Sequence, residues 1–329
     1  MTLFSRRGLI GQGAAALALT PAMARAATGT RLPAPDSQLP PPESIQGDRD
    51  AQDHLTIDTY INDKGPFSFV VDTGADRSVI SDSVVAALGL VQGGDVIVQG
   101  IARALPAQSV KLANLRVGRI SCDNLETPIL PKSLLGSDGY LGLDVIDRQS
   151  VTFDFQNRRL TVDPSAPPRT DWKYSAAGQH NSEGLLVRAD GSQGRLTAVD
   201  SFVDGTRAYA FVDSGAEISI GNTHLFDRLQ RNEGAQYLSE QSVHLIGVTG
   251  GAVIGRIMAV KDVQLANVHF SNSILVISDL PVFDIWGLAD RPALFVGMNF
   301  LRQTSSFTVD YGRKEYRFKL AQTLIARRT

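Results

Sequence analysis

The chain has 329 residues, 43% of them hydrophobic and 20% charged, and 32 Lys plus Arg against 34 Asp plus Glu leave a formal charge of −2. That composition excludes a disordered, collagenous or coiled-coil chain, and the missing basic excess argues against a nucleic-acid partner, whose binding draws on counterion release. The single cysteine, Cys122, excludes an internal disulfide framework and any Cys-rich zinc site.

Residues 1–26 contain no acidic side chain, set Arg6 and Arg7 before the uncharged stretch Gly8–Ala24, and end in Ala24-Arg25-Ala26. Twin arginines, a mild apolar region and a small-residue cleavage site read as a twin-arginine signal peptide. An ordinary secretory signal is the alternative, and both lead out of the cytoplasm. The expected partner is the twin-arginine translocation machinery, and the expected location is the periplasm or the medium. The Gly-rich stretch is marginal for a span of roughly 20 apolar residues, so no stable membrane insertion is expected after signal removal. Loss of Arg6, Arg7 and Arg25 leaves a charge of −5. Gly11-Gln12-Gly13 through Ala16 matches a dinucleotide fingerprint, but no strand precedes it, so that reading is set aside.

Residues 27–50, with Pro40-Pro41-Pro42, read as an extended Pro-rich tether, and residues 164–182 as a second linker. They bound an N-terminal lobe, 51–163, and a C-terminal lobe, 183–320. The lobes repeat one pattern. In the first, Leu55 to Ile61 alternates, Asn62 to Gly65 makes a turn, and Phe67 to Val71 returns as a strand into Asp72-Thr73-Gly74-Ala75-Asp76. In the second, Thr197 to Val203, the turn Asp204-Gly205, and Tyr209 to Val212 lead into Asp213-Ser214-Gly215-Ala216-Glu217. Each acidic tripeptide is followed by a short helix, Val84 to Leu88 capped by Ser81 or Asp82, and Leu225 to Leu229 capped by Asn222 or Thr223. Further matches pair Val98-Gln99-Gly100-Ile101 with Leu245-Ile246-Gly247-Val248, and Lys111 to Asn114 with Gln264 to Asn267. Leu141-Gly142 pairs with Val296-Gly297, and Thr152 to Phe155 with Thr308 to Tyr311. The offset grows from 141 at the tripeptides to 155 at the late glycines, so the second copy has longer loops. Short apolar strands, turns and brief helices make both lobes all-β.

An aspartate ending a buried strand is costly unless it is paired. If the two lobes pack about a pseudo-twofold axis, Asp72 and Asp213 meet, and neighbouring carboxyls share one proton. One then takes a proton from water while the other polarises a carbonyl, which is amide hydrolysis without a covalent intermediate. Gly74 and Gly215 permit a sharp turn and a close backbone approach, and Thr73 and Ser214 supply hydroxyls that bond across the interface.

Phe69 through Asp76 closely resembles the active-site loop of retroviral aspartic proteases, and Leu141-Gly142 and Val296-Gly297 resemble that family's second hallmark. Residues 50–320 thus resemble a retropepsin-like aspartyl protease, bacterial and exported, with both half-sites fused in one monomer-competent chain. The resemblance implies an all-β, bilobal, acid-protease-like fold of two pseudo-twofold-related β-barrel lobes with short helices. It implies an aspartic endopeptidase that uses no cofactor and acts on a peptide or protein. Asp72 and Asp213 would be catalytic, with Thr73, Gly74, Ser214 and Gly215 in support. Ala75, Asp76, Ala216 and Glu217 would contact substrate backbone, and Gly100-Ile101 and Gly247-Val248 would be flap tips. Ala102-Arg103 departs from the Gly-rich tip expected in the first flap, and no pepsin-type flap tyrosine is present.

Other readings are weaker. Asp154 and Asp310 recur at turns and suit a structural role. Asp144 has Asn299 as its counterpart, which argues against an obligatory carboxylate there. The five histidines lack metal-ligand spacing, no G-x-S-x-G elbow is present, and Cys122 reads as packing. The rival from another class is a non-catalytic protein that keeps the fold and binds extended peptides.

Overall fold

The computed structural model describes residues 43–49, 55–165, 185–190, 196–198 and 200–320. The expected signal peptide, residues 1–26, and most of the expected tether and second linker lie outside the described residues. The fold is two-lobed and all-β. Among the described residues no helix is long and apolar enough to cross a membrane.

In the first lobe, strand Leu55–Ile61 buries Leu55, Ile57, Thr59 and Ile61 and also Thr56, and Asn62 and Asp63 turn the chain with φ of 49° and 62°. Such paired positive values suit a tight hairpin. The return strand, Lys64–Val71, lies parallel to Gly139–Leu141, whose other neighbour is Val79–Ser81. Val79–Ser81 pairs in turn with Ile120–Leu130, which pairs with Ala104–Val117. Contacts of Tyr60 with Arg116 and of Ile61 with Leu115 return this strand to the first and close a six-stranded barrel.

The second lobe repeats the connections but, among the described residues, does not close. The counterpart of Leu55–Ile61 is broken into Thr197–Ala198, paired with Tyr209–Val212, and Ser201–Val203, paired with Ala252–Leu265. Asp200 adopts φ of 58° at the break, and Ser201 Oγ donates to Ala198 O at 2.9 Å across it. The lobe is therefore a half-barrel where the sequence suggested a second barrel, because a left-handed residue interrupts the strand that would seal it.

A sheet shared by both lobes joins them, in the order Glu43–Arg49, Arg159–Pro164, Gln149–Asp154, Thr304–Asp310, Glu315–Leu320, Leu185–Asp190. Its two central strands run antiparallel with Thr152 opposite Thr308, and the two hydroxyls are 2.7 Å apart. These are the residues matched by the internal repeat, so the pseudo-twofold axis passes between them. Phe153, Phe307 and Phe318 are fully buried beneath, with centroids 5.9 and 5.2 Å apart along the series.

Two sequence assignments change. Glu43–Arg49, read as tether, is an outer strand bonded to Arg159–Pro164 and to Leu55–Ile61. An outer strand is held by main-chain pairing and needs no apolar period. The match of Lys111–Asn114 to Gln264–Asn267 is also displaced. The former lies inside strand Ala104–Val117, whereas Ala266, at φ 51°, begins the turn after Ala252–Leu265. Pairing of Ile61 with Leu115 and of Val203 with Val263 gives the true correspondence.

The helices follow their caps. Asp82–Leu88 starts at Ser81, whose Oγ accepts from Val84 N–H at 3.3 Å, and stops at Gly89. Its counterpart starts at Asn222 but runs Thr223–Glu233, beyond the expected Leu229, because the next left-handed stop is Gly234.

Candidate active site

The apolar strands Lys64–Val71 and Tyr209–Val212 leave the two cores at Val71 and Val212, both buried, and deliver Asp72 and Asp213 to one place. Asp72 N–H donates to Leu141 O and Asp213 N–H to Val296 O, each at 3.0 Å, so the late apolar residue of each half anchors its aspartate. The next residues cross-link the lobes reciprocally. Thr73 N–H donates to Ser214 Oγ at 3.1 Å, and Ser214 N–H to Thr73 Oγ1 at 3.0 Å. Thr73 Oγ1 donates onward to Val212 O at 3.1 Å, and Ser214 Oγ to Val71 O at 2.8 Å. Each hydroxyl accepts from one lobe and donates within it, which is the interface bonding expected of a Thr and Ser at these positions.

The two carboxyls face each other. A Cβ on Gly74 would stand 2.5 Å from Asp213 Cγ, and one on Gly215 would stand 2.4 Å from Asp72 Cγ. Neither glycine has positive φ, so their requirement is room for the opposite carboxyl and not the sharp turn suggested by sequence. Asp72 Oδ1 accepts from Gly74 N–H at 2.8 Å and Ala75 N–H at 3.1 Å, while Asp213 Oδ1 accepts from Gly215 N–H at 2.9 Å. Burial first, then the charge of Asp213, hold the Asp72 carboxyl well above the usual carboxylate range against the pull of the Gly74 and Ala75 amides, and a hydrogen bond with Asp213 adds to the rise. Such a pair can keep one proton between two acids.

A second tier, not assigned from sequence, braces each loop. Ser78 Oγ accepts from Gly142 N–H at 3.0 Å and donates to Asp144 Oδ1 at 2.7 Å. Ser219 Oγ accepts from Gly297 N–H at 2.9 Å and donates to Asn299 Oδ1 at 2.7 Å. The signal was available, because Ser78 and Ser219 stand at the same offset as the tripeptides. Asp144 and Asn299 do the same work with one carbonyl-type oxygen, so a carboxylate is not required there. Asp154 and Asp310 are turn acceptors, the first for Asn157 N–H at 2.9 Å and the second for Arg313 N–H at 3.0 Å. Cys122 is half-buried against the core, and burial followed by nearby Asp144 raises its thiol.

Ala75 and Ala216 lie half-buried beside the dyad, and their carbonyls accept from Leu143 N–H at 2.9 Å and Met298 N–H at 2.8 Å. Asp76 and Glu217 follow on the exposed side of the loops. The expected flap tips close two hairpins, Gln92–Gln99 with Ala104–Val117 and Tyr237–Ile246 with Ala252–Leu265. The tips touch. Arg103 Nε donates to Thr249 O at 3.0 Å and Thr249 Oγ1 to Arg103 O at 2.9 Å, with Thr249 fully buried. The departure from a Gly-rich tip, Arg103, thus supplies the clasp between flaps. Ile101 packs on an apolar cluster of the second lobe and Val248 on one of the first, so each flap reaches across.

No curated protein matches the chain. A family model described as aspartyl protease matches residues 57–145, from the first barrel strand through Asp72-Thr73-Gly74 to the helix after Leu141-Gly142. That segment carries the first aspartate and its anchoring Leu141-Gly142, and it is this part of the chain that is similar to the retropepsin-like aspartyl protease family.

Proposed function

We propose that this chain is an aspartic endopeptidase in which Asp72 and Asp213 form a one-proton dyad. The carrying observation is the opposition of the two carboxyls across the Thr73 and Ser214 cross-link, each pressed against the other half's glycine. In the reaction, the ionised aspartate takes a proton from water as the water oxygen bonds to the amide carbon. The protonated aspartate gives its proton to the carbonyl oxygen, yielding a tetrahedral diol. Return of a proton to the amide nitrogen breaks the C–N bond and releases acid and amine. The substrate is an extended peptide under the paired flaps. A single chain supplies both half-sites, so a monomer suffices.

The test is substitution with peptide cleavage scored from pH 3 to 8. Asp72→Asn and Asp213→Asn each abolish turnover, and a variant keeping more than about 1% of wild-type kcat/KM refutes the dyad, since the acid and base roles are each worth about 10²–10⁴-fold. A wild-type chain that binds peptides and cuts none is the binding protein of the rival reading. The leader supports export through the twin-arginine route, with action outside the cytoplasm. Replacing Arg6 and Arg7 by Lys should retain the precursor inside the cell, and unchanged export would refute that route.

A further inference from the structure

One buried hydroxyl near the dyad is not used by the mechanism above. Tyr311 follows the shared-sheet strand Thr304–Asp310, is 7% exposed, and its Oη has no hydrogen-bond partner among the described residues. A buried hydroxyl in that state is costly unless water completes it. In the internal repeat Tyr311 corresponds to Phe155, whose ring stacks on Phe153 at 6.3 Å. The hydroxyl is therefore present in the second half and missing from the first.

A cavity of about 20 Å³ adjoins Tyr311 and is also bordered by Thr73, Gly74 and Asp213. Val309 and Tyr316 of the shared sheet border it too, so it is a space in the core behind the dyad and not part of the substrate cleft. Its volume exceeds the about 10–15 Å³ that a buried water requires, together with roughly two to four polar partners. The side chains able to serve are the hydroxyls of Tyr311, Thr73 and Tyr316 and the Asp213 carboxyl. Thr73 Oγ1 donates to Val212 O at 3.1 Å and Tyr316 Oη to Leu196 O at 2.6 Å, so those protons are already placed. The Tyr311 proton is still to be placed, and the carboxylate is the strongest acceptor at hand.

The titratable groups that act on Tyr311 are Tyr316 from the neighbouring strand, Asp72 and Asp213 from the two loops, and Asp147 at the end of the helix Leu143–Ile146. Burial first, then these neutral or acidic neighbours, hold its phenol well above the usual tyrosine range. It is therefore a donor at every pH at which the dyad titrates.

We propose that Tyr311 is a positioning residue of the dyad: its hydroxyl donates to one water held in this cavity, and that water donates to the Asp213 carboxylate. The catalytic consequence rests on the peptidase reading, whereas the water does not. A donor aimed at the ionised form lowers the first ionisation of the pair. The shared charge then rests on Asp213 and the shared proton on Asp72, whose carboxyl is held high by burial and by the charge of Asp213.

The test is a high-resolution crystal structure of the full mature chain and the pH profile of its peptide cleavage, each for wild type and for Tyr311→Phe, which keeps the ring. Wild type should show one water within about 3 Å of both Tyr311 Oη and an Asp213 carboxylate oxygen, and the variant should lose it. Loss of the donor raises the ionisation, so the acid limb of kcat/KM should move up by about half to one pH unit, the scale of one hydrogen bond to a charged group. A merely structural hydroxyl would lower Tm and leave that limb in place. Carbon-13 NMR titration of the aspartate carboxyls should show the same displacement, and it judges the proposal even for a chain that cuts no peptide. Absence of turnover would instead refute the hydrolase. Where the variant fails to fold, the wild-type structure decides. A dry cavity in wild type, a Tyr311 hydroxyl bonded elsewhere, or a titration unmoved by Tyr311→Phe overturns the proposal.

Discussion

Removal of the Ser214 hydroxyl probes how the two lobes hold the dyad. Ser214→Ala deletes an acceptor for Thr73 N–H at 3.1 Å and a donor to Val71 O at 2.8 Å, at a side chain only 3% exposed. Water cannot readily replace either bond, and each orphaned group costs about 1–3 kcal/mol. Taking about 3 kcal/mol in all, and about 2–4 °C per kcal/mol for a body of this size, calorimetry should find Tm lowered by about 6–12 °C. Thr73→Val removes the mirror-image pair of bonds and should cost a similar amount. The double variant should depart from additivity by about 0.5–3 kcal/mol, because losing one hydroxyl loosens the seat of the other. Ser214→Thr, which copies the first half, keeps the hydroxyl and should retain most of the stability. A fall of less than 1 °C for Ser214→Ala, or strict additivity of the pair, would refute the claim that these bonds clamp the lobes.

Gly74→Ala and Gly215→Ala place a Cβ 2.5 and 2.4 Å from the opposing carboxyl carbon; each should cost at least about 10²-fold in kcat/KM, since small misplacements at a reacting centre have that effect, and wild-type kinetics would count against the close approach. Asp144 tests the second tier: its Oδ2 is buried without a partner, and burial raises its carboxyl despite the Ser78 bonds. With a raised folded value, its stabilising contribution is complete below the ordinary aspartate range and is lost as pH rises through that value. Asp144→Asn keeps an Oδ1 acceptor as Asn299 does, so it should gain about 1 kcal/mol at pH 7 and little at pH 3, and destabilisation at pH 7 would show that the charge is used. Arg103→Ala deletes the Nε bond to Thr249 O; amide exchange at Thr249 and Gly250 should rise severalfold, and unchanged protection would show that the flaps are held by other contacts.

Much of the site was legible because duplication makes a sequence its own alignment. Asp72 and Asp213, their glycines and the late Leu141-Gly142 and Val296-Gly297 recur in order, and an acid at the end of a buried strand demands a partner. The capping residues Ser81 and Asn222 were equally local signals, since a side-chain oxygen placed before a helix satisfies its first amides. Local likeness also misled: Leu-Ala-Asn occurs in a strand interior in one half and reaches a turn in the other, and three letters carry no information about strand pairing. Glu43–Arg49 was illegible for a related reason, because a polar outer strand is specified by the sheet edge it meets.

The sequence by itself determined two β lobes, the acids that end their first hairpins, and the hydroxyls beside them, because strand period, turns and repeat spacing are properties of the chain. Only the tertiary structure decided that the carboxyls face each other through glycine-sized gaps and that Arg103 clasps the far flap. Those are distances between segments more than a hundred residues apart. Packing about the Thr152 and Thr308 axis sets them, and no local pattern encodes a separation across that axis.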